Sequence, residues 1–416
     1  MIAGKSADEL AAACAADGEF RLAARHWSGG FRFASPGPAL GVRLDEGRPS
    51  AGEVREGEAG AIALSASEDA WRKLLSAKPP RFFNDISGLI GARQMTLDAD
   101  PVLYAQYYPA VMRAVELLRP AATAAAPSEA KRTGAFDSPV GRYVHLTIEG
   151  QDYRVYFEEA GSGIPLILQH TAGCHGSQWR HLFERGEITG RFRLIAYDLP
   201  FHGKSLPPVG PEWWAQEYRL TAAFLRAVPV ALAAALGLER PVFMGCSVGG
   251  LLALDLALHH PDVFAAVVSL EGALNIETDI GALGALWHPQ VSNEYKARLM
   301  NALMSPTSPQ AYRKETSQVY AAGWPPAFLG DLYYYLIDYD LRERAKDIRI
   351  PVHILNGEYD SSGTLEHGQA AHAAIPGSTW AAMPGLGHFP MSENPEAFLA
   401  HLLPVLDQVE RAWRAP

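Results

Sequence analysis

The tightest constraint on this chain lies at residues 241–258. Pro241-Val242-Phe243-Met244 is an apolar run of strand length, Gly245-Cys246-Ser247-Val248-Gly249 is rich in small residues, and Leu251-Leu252-Ala253-Leu254-Asp255-Leu256-Ala257-Leu258 reads as a helix. A strand that turns into a helix within so few residues must strain the backbone at its centre. Gly245 and Gly249 permit the reversal because each removes a side chain that would collide with a neighbour. Ser247 then sits at the helix N-terminus with its hydroxyl pushed into the open, an arrangement suited to attack. The same segment commits its surroundings to layers of helices on a sheet.

The rest of the C-terminal region agrees with that commitment. From residue 139 onward, strands are expected at 142–148, 152–159, 165–170, 192–197, 241–245, 265–270, 351–356 and 378–383, separated by helical stretches. This alternation implies an α/β architecture with a mostly parallel eight-stranded sheet. Between the sixth and seventh strands, residues 275–349 carry helical segments rich in aromatics and methionine, among them Trp287, Met300, Tyr320, Trp324, Phe328 and Tyr334. An insertion at that point lies over the carboxyl ends of the strands and reads as a helical lid.

Upstream, residues 1–119 form a smaller α+β domain and 120–138, with its prolines and run of alanines, has linker composition. Within the smaller domain the pattern predicts a helix at 6–17, strands at 19–26, 30–35, 39–44 and 60–66, a helix at 67–76, a strand near 92–98 and an amphipathic helix at 101–119. A length of 416 residues suits two domains, and 48% hydrophobic with 20% charged residues is ordinary for a soluble globular chain.

The net charge of −10 argues against a partner that presents a phosphate backbone, so no nucleic-acid partner is expected. Cys14, Cys174 and Cys246 are too few and scattered for a disulfide framework. Acidic residues within the first ten positions, with no apolar core after them, speak against an export signal. The Ala/Leu-rich segment 221–237 is interrupted by Arg226 and Pro229, so no membrane span is expected. A cytoplasmic enzyme acting on a small hydrophobic molecule is the consistent reading.

A serine hydroxyl needs a base to take its proton as it attacks. His388, in the glycine-flanked loop Gly385-Leu386-Gly387-His388-Phe389 after the last strand, is the candidate. The base needs a carboxylate to hold its tautomer and stabilise the imidazolium. Asp360, just past the seventh strand, fills that role best; Glu358 stands beside it, and Glu271, at the end of the sixth strand, occupies the other place from which such an acid can be supplied. Two backbone amides should receive the developing oxyanion, that of Val248 and that of Ala172 in the loop His170-Thr171-Ala172-Gly173. His170, His175, His181, Asp198 and His202 lack thiolates at zinc-type spacing, and no glycine-rich phosphate loop follows a strand, so neither a metal nor any other cofactor is expected. Thr171, Trp179, Trp287, Trp324 and Tyr334 are the candidate pocket residues, and collectively the aromatics favour a hydrophobic acyl or aryl substrate.

On these motifs, together with Asp198-Leu199-Pro200-Phe201-His202-Gly203-Lys204-Ser205 and Gly357-Glu358-Tyr359-Asp360, residues 140–412 resemble the α/β-hydrolase family, in its lid-bearing branch of esterases and carbon–carbon bond hydrolases. The chain order Ser247, Asp360, His388 is that family's order. Two positions depart from its pattern: Thr171 stands where glycine is usual, and Cys246 occupies the variable position of the turn, where it reads as packed. The resemblance implies a serine hydrolase that cleaves a carboxylic ester through an acyl-enzyme. A hydrolase of vinylogous diketones would use the same residues. Residues 18–119 are similar to the sterol-carrier-protein lipid-binding fold through Gly60-Ala61-Ile62-Ala63-Leu64-Ser65-Ala66, the helix after it and a closing helix with Tyr104, Tyr107 and Tyr108. That implies a hydrophobic tunnel and, as a different class of function, a lipid carrier or receptor; the plainer expectation is a cap or a homodimerisation module.

Overall fold

A computed structural model describes residues 2–120, 133–277 and 280–415. The chain forms two compact units. The first gathers the described residues up to Pro120 together with Ala285–Ala302; the second holds the remaining described residues. Most of the expected linker, from 121 to 132, lies outside the described residues.

The first unit is built on a five-stranded sheet of β1 (Gly29–Ala34), β2 (Leu40–Asp45), β3 (Arg48–Ala51), β4 (Ala61–Ala66) and β5 (Met95–Asp98), in the order β3-β2-β1-β4-β5. β1 and β4 run parallel, with Phe31 opposite Ile62, and the other pairs are antiparallel. The helix Pro101–Leu118 starts on a proline, and the Asp100 carboxylate accepts the Val102 and Leu103 amides. Its face of Tyr108, Val111, Met112 and Val115 enters a core with Phe20, Trp27, Phe31, Phe33 and Trp71.

One expected strand is a helix. Residues 19–26 alternate like a strand, yet Gly18–Ala24 is helical: the Asp17 carboxylate caps it by accepting the Phe20 amide at 2.7 Å, and Phe20 and Ala24, four apart, are its buried pair. The short strand β3 and the helix Ile86–Gly91 were not expected. The insertion at 275–349 is divided. Its helix Asn293–Asn301 belongs to the first unit, where Arg298 pairs with Glu116 at 2.5 Å and Tyr295 meets Tyr108 edge to face.

In the second unit all eight expected strands are present, with ends within two residues of the expected ones. They are β6 (Val140–Ile148), β7 (Gln151–Ala160), β8 (Ile164–Gln169), β9 (Phe192–Tyr197), β10 (Val242–Cys246), β11 (Ala266–Leu270), β12 (Val352–Gly357) and β13 (Thr379–Met383). The order is β13-β12-β11-β10-β8-β9-β7-β6, parallel throughout except where β7 meets β6 and β9. Central strands covered on both faces must be apolar on both, and every residue of β10, β11 and β12 is buried. Parallel register, with Val242 opposite both Leu166 and Ala266, brings the carboxyl ends of β8, β10, β11 and β12 to one edge. The loops that leave this edge carry the candidate site. Among the described residues, no helix is long and apolar enough to cross a membrane.

Candidate active site

β10 ends at Cys246 and the helix Val248–His259 begins at once, so Ser247 alone makes the turn, with φ 59° and ψ −117°. Its amide donates to the Leu270 carbonyl at 3.0 Å and its carbonyl accepts the Leu251 amide, which pins the strained residue from both sides. The turn has no room for larger residues: a Cβ on Gly245 would lie 2.3 Å from the Gly249 carbonyl oxygen. Gly245, Cys246, Val248 and Gly249 are buried, whereas Ser247 keeps partial exposure at the positive end of the helix. Cys246 donates its thiol to the His388 carbonyl at 3.1 Å; burial first, and then the neighbouring acidic groups, push its pKa well up, which suits a packed thiol.

The loop after β12 supplies Asp360 and the loop after β13 supplies His388. Their side chains meet, His388 Nδ1 to Asp360 Oδ2, at 2.6 Å. Burial alone would raise the Asp360 carboxyl, but the charge and hydrogen bond of His388, with hydrogen bonds from Glu271 and the Ser362 amide, carry it below the ordinary carboxylate value. Ser362 and Gly363 donate their amides to its two oxygens at 2.7 and 2.9 Å. The acid on the histidine is therefore Asp360. Glu358 instead accepts the Gly385 amide, and Glu271 accepts the Gly357 amide on both oxygens.

A further carboxylate, Glu393, holds the histidine loop. It accepts the Gly387 amide at 2.8 Å and the Phe389 amide at 3.5 Å, one on each side of His388, along with the Ser305 amide and the Ser308 hydroxyl. The His388 amide donates to the Leu303 carbonyl. Sequence reasoning missed Glu393; its position five residues past the histidine, just ahead of the closing helix Pro395–Arg414, was the available signal.

The loop after β8 is fixed on both sides of Ala172. Gln178 Oε1 takes both the amide and the hydroxyl of Thr171 at 3.0 Å, and that hydroxyl also meets the Tyr320 phenol. On the other side the Gly173 amide donates to Asp331, which also binds His202 Nε2 at 2.9 Å and the Tyr218 hydroxyl at 3.0 Å. Among the described residues, the amides of Ala172 and Val248 are left without an acceptor. Thr171, unusual in sequence, thus serves as an anchor whose hydroxyl replaces the freedom a glycine would have had.

Of the four aromatics expected to line a pocket, Trp324 lines a cavity and the other three have other places. Trp179 is fully buried in the core beneath β8 and β9 because its neighbours Leu182 and Phe183 carry it inward. Tyr334 is fully buried with its hydroxyl on Asp255. Trp287 is 47% exposed and belongs to the first unit. Trp324 stacks on Phe201 and lines, with Trp213, His175 and Lys204, a cavity of 720 Å³ whose wall does not include Ser247 or His388. Among the described residues, no three His, Cys, Asp or Glu side chains are grouped to hold a metal ion.

A family model described as the alpha/beta hydrolase family matches residues 166–401. A pimeloyl-[acyl-carrier protein] methyl ester esterase of Vibrio vulnificus is 26% identical over 265 residues, which covers 60% of this chain and 96% of that protein. Among solved structures, a thermophilic esterase from Thermogutta terrifontis superposes with a TM-score of 0.56 at 20% identity, covering 65% of this chain and 99% of its own. An enol-lactonase from Burkholderia xenovorans gives 0.51 at 21% identity, with 64% and 100% covered. The strand order, the strained turn at the end of β10 and the loops that converge on it are thus those of a known fold, and the chain belongs to the alpha/beta hydrolase family.

Proposed function

We propose that this hydrolase cleaves a carboxylic ester of a small hydrophobic or aromatic molecule through an acyl-enzyme on Ser247. The observation that carries the proposal is that the loops leaving one strand edge hold both a strained, partly exposed serine at a helix N-terminus and a histidine whose Nδ1 is held by a buried carboxylate. With Nδ1 bound to Asp360, the histidine presents Nε2 as the base. Ser247 Oγ attacks the ester carbonyl and its proton passes to His388; the carbonyl oxygen gains the negative charge and takes the amides of Val248 and Ala172. Collapse expels the alcohol, which carries away the proton from His388, and water then repeats the sequence on the acyl-serine. Each oxyanion amide is worth about 3 kcal/mol of barrier in such sites. The methyl ester esterase among the relatives supports the ester class.

The test is hydrolysis of a short-chain aryl ester, with fluorophosphonate labelling as the readout of the nucleophile. The wild type should turn over the ester and label on Ser247, and Ser247→Ala should do neither. Comparable turnover by Ser247→Ala would overturn the assignment, and preference for a vinylogous diketone over an ester of similar size would move it to carbon–carbon cleavage.

A further inference from the structure

Two carboxyl groups, not one, stand behind His388. Glu271 leaves β11 in the left-handed region with φ 55°, a costly conformation for a side chain of this size, and it is 1% exposed. Its amide is tied to the Leu355 carbonyl, its carboxyl takes the amide of Gly357, and Asp360, three residues further along that loop, is 0% exposed. The approach is close enough that a Cβ on Gly363, in the turn after Asp360, would lie 2.2 Å from the Glu271 carbonyl oxygen.

Two carboxyl groups buried this close together without a cation for each do not both ionise, and their remaining partners say which of them carries the proton. Asp360 already receives three N–H donors, from Ser362, Gly363 and His388, all directed at lone pairs of a carboxylate. Glu271 has one N–H donor, the Gly357 amide, spread between its two oxygens at 2.9 and 2.8 Å. The titratable groups that act on Glu271 are Asp360 and, more weakly, Glu393, while the Cys246 thiol also lies within its field; all are acids. A second buried negative charge here would have no cation of its own, since His388 faces Asp360.

We propose that Glu271 is carried as a neutral carboxylic acid that donates its proton to Asp360, and so acts as a positioning residue for the acid of the triad. Burial first, and then the charge of Asp360, raise the Glu271 carboxyl well above the ordinary value, which agrees with this assignment. The O–H donor fixes the Asp360 oxygens in the plane that accepts His388 Nδ1 and spreads the charge of Asp360 over one more hydrogen bond. Neutrality matters for the rate. A second anion beside His388 would raise the proton affinity of the imidazole and hold it protonated at neutral pH, where the base is needed free.

The inference rests on the reading of Ser247, His388 and Asp360 as the reacting set, and the experiment separates the two. In the full-length protein, fluorophosphonate labelling first establishes that reading on its own. The acid limb of the kcat/KM–pH profile for an aryl ester is then compared among wild type, Glu271→Gln and Glu271→Leu. The glutamine amide can replace the neutral O–H donor without a change of charge, so its acid limb should coincide with that of wild type and kcat should stay within a few-fold. The leucine variant, which cannot donate, should lose roughly tenfold in kcat. Were Glu271 ionised, removing its charge in Glu271→Gln would move the acid limb down by about one pH unit, and that result overturns the inference while leaving the labelling intact. Infrared difference spectra supply a readout independent of turnover. A neutral-acid carbonyl stretch present in wild type and lost in Glu271→Gln supports the assignment, and its absence from wild type overturns it.

Discussion

Both units of this protein are layered sheets with helices on their faces, but they spend their irregularities differently. In the second unit, Ser247 and Glu271 take left-handed backbone conformations at the ends of the neighbouring strands β10 and β11, and the buried acids Asp360 and Glu393 flank the same edge. The first unit's non-glycine left-handed residues, Glu46, Phe82 and Arg93, lie in turns. Its interior is filled with rings: Trp27 stacks on Tyr107 at 4.6 Å, and Phe31, Phe33 and Trp71 follow in a tilted row. Its buried Arg298 is paired with Glu116. Strain and buried acid gathered on one strand edge mark chemistry, whereas a ring-packed interior marks stability.

The comparison breaks if a change at the strained serine costs stability instead of rate. Ser247→Ala should lower kcat for an aryl ester by roughly 10⁴–10⁶-fold, as loss of the nucleophile does in serine hydrolases. Because, among the described residues, the Ser247 side chain caps no backbone amide of its helix, its thermal midpoint should stay within a few degrees of wild type. Calorimetry beside the ester assay checks both halves. The converse change lies in the first unit. Trp71 is 2% exposed, and its ring N–H donates to the Ala34 carbonyl at 2.8 Å. Trp71→Ala should destabilise that unit by about 3–5 kcal/mol through the cavity and the orphaned carbonyl. A loss under about 1 kcal/mol by chemical denaturation would mean that its core is looser than its packing.

Between these extremes lies Glu393, where support and chemistry meet. Glu393→Ala frees the amides on both sides of His388, so kcat should fall roughly 10²-fold, the usual consequence of a base displaced by about an ångström. The affinity for a fluorophosphonate, by contrast, should change less than its rate of reaction with Ser247, which stopped-flow labelling can separate.

What the amino-acid sequence disclosed follows the same division. The strands of the second unit were legible because β10, β11 and β12 are buried on both faces and therefore read as uninterrupted apolar runs. The serine turn was legible because sterics leave few residue types that can occupy it. Asp331 was not, since it reaches Gly173 from 158 residues away, a relation no local pattern encodes; Gln178 and Glu393 hold loops within seven residues of themselves but stand in no motif that marks them. The helix Gly18–Ala24 was misread because seven residues are too few to separate a period of two from one of 3.6 when a cap decides the outcome. Helix Asn293–Asn301 was read as part of the lid because it lies within the insertion at 275–349, but it belongs to the first unit, where its Lys296 and Arg298 are buried.

The smallest expected effect concerns how the helices over the second sheet are held. Glu315, on the helix Gln310–Ala321, takes Arg180 in a two-pronged pair at 2.5 and 2.8 Å and also meets His181 Nε2 at 3.2 Å. Burial pushes the Glu315 carboxyl up, but hydrogen bonds and charge from Arg180 and His181 outweigh it and bring its pKa down from 4.5 to about 2. A carboxyl lowered by folding contributes stability that is complete above its unfolded value and fades as pH falls from 4.5 toward 2. Glu315→Gln should therefore be less stable than wild type by about 1–2 kcal/mol at pH 7, after allowance for the screening of a partly exposed pair. The difference should shrink steadily as acid protonates Glu315 in wild type. Urea midpoints for the two proteins across that range measure it directly. A gap that stays constant would place the contribution of Glu315 in packing and not in charge, and would make this contact resemble those of the ring-filled unit more than those of the site it adjoins.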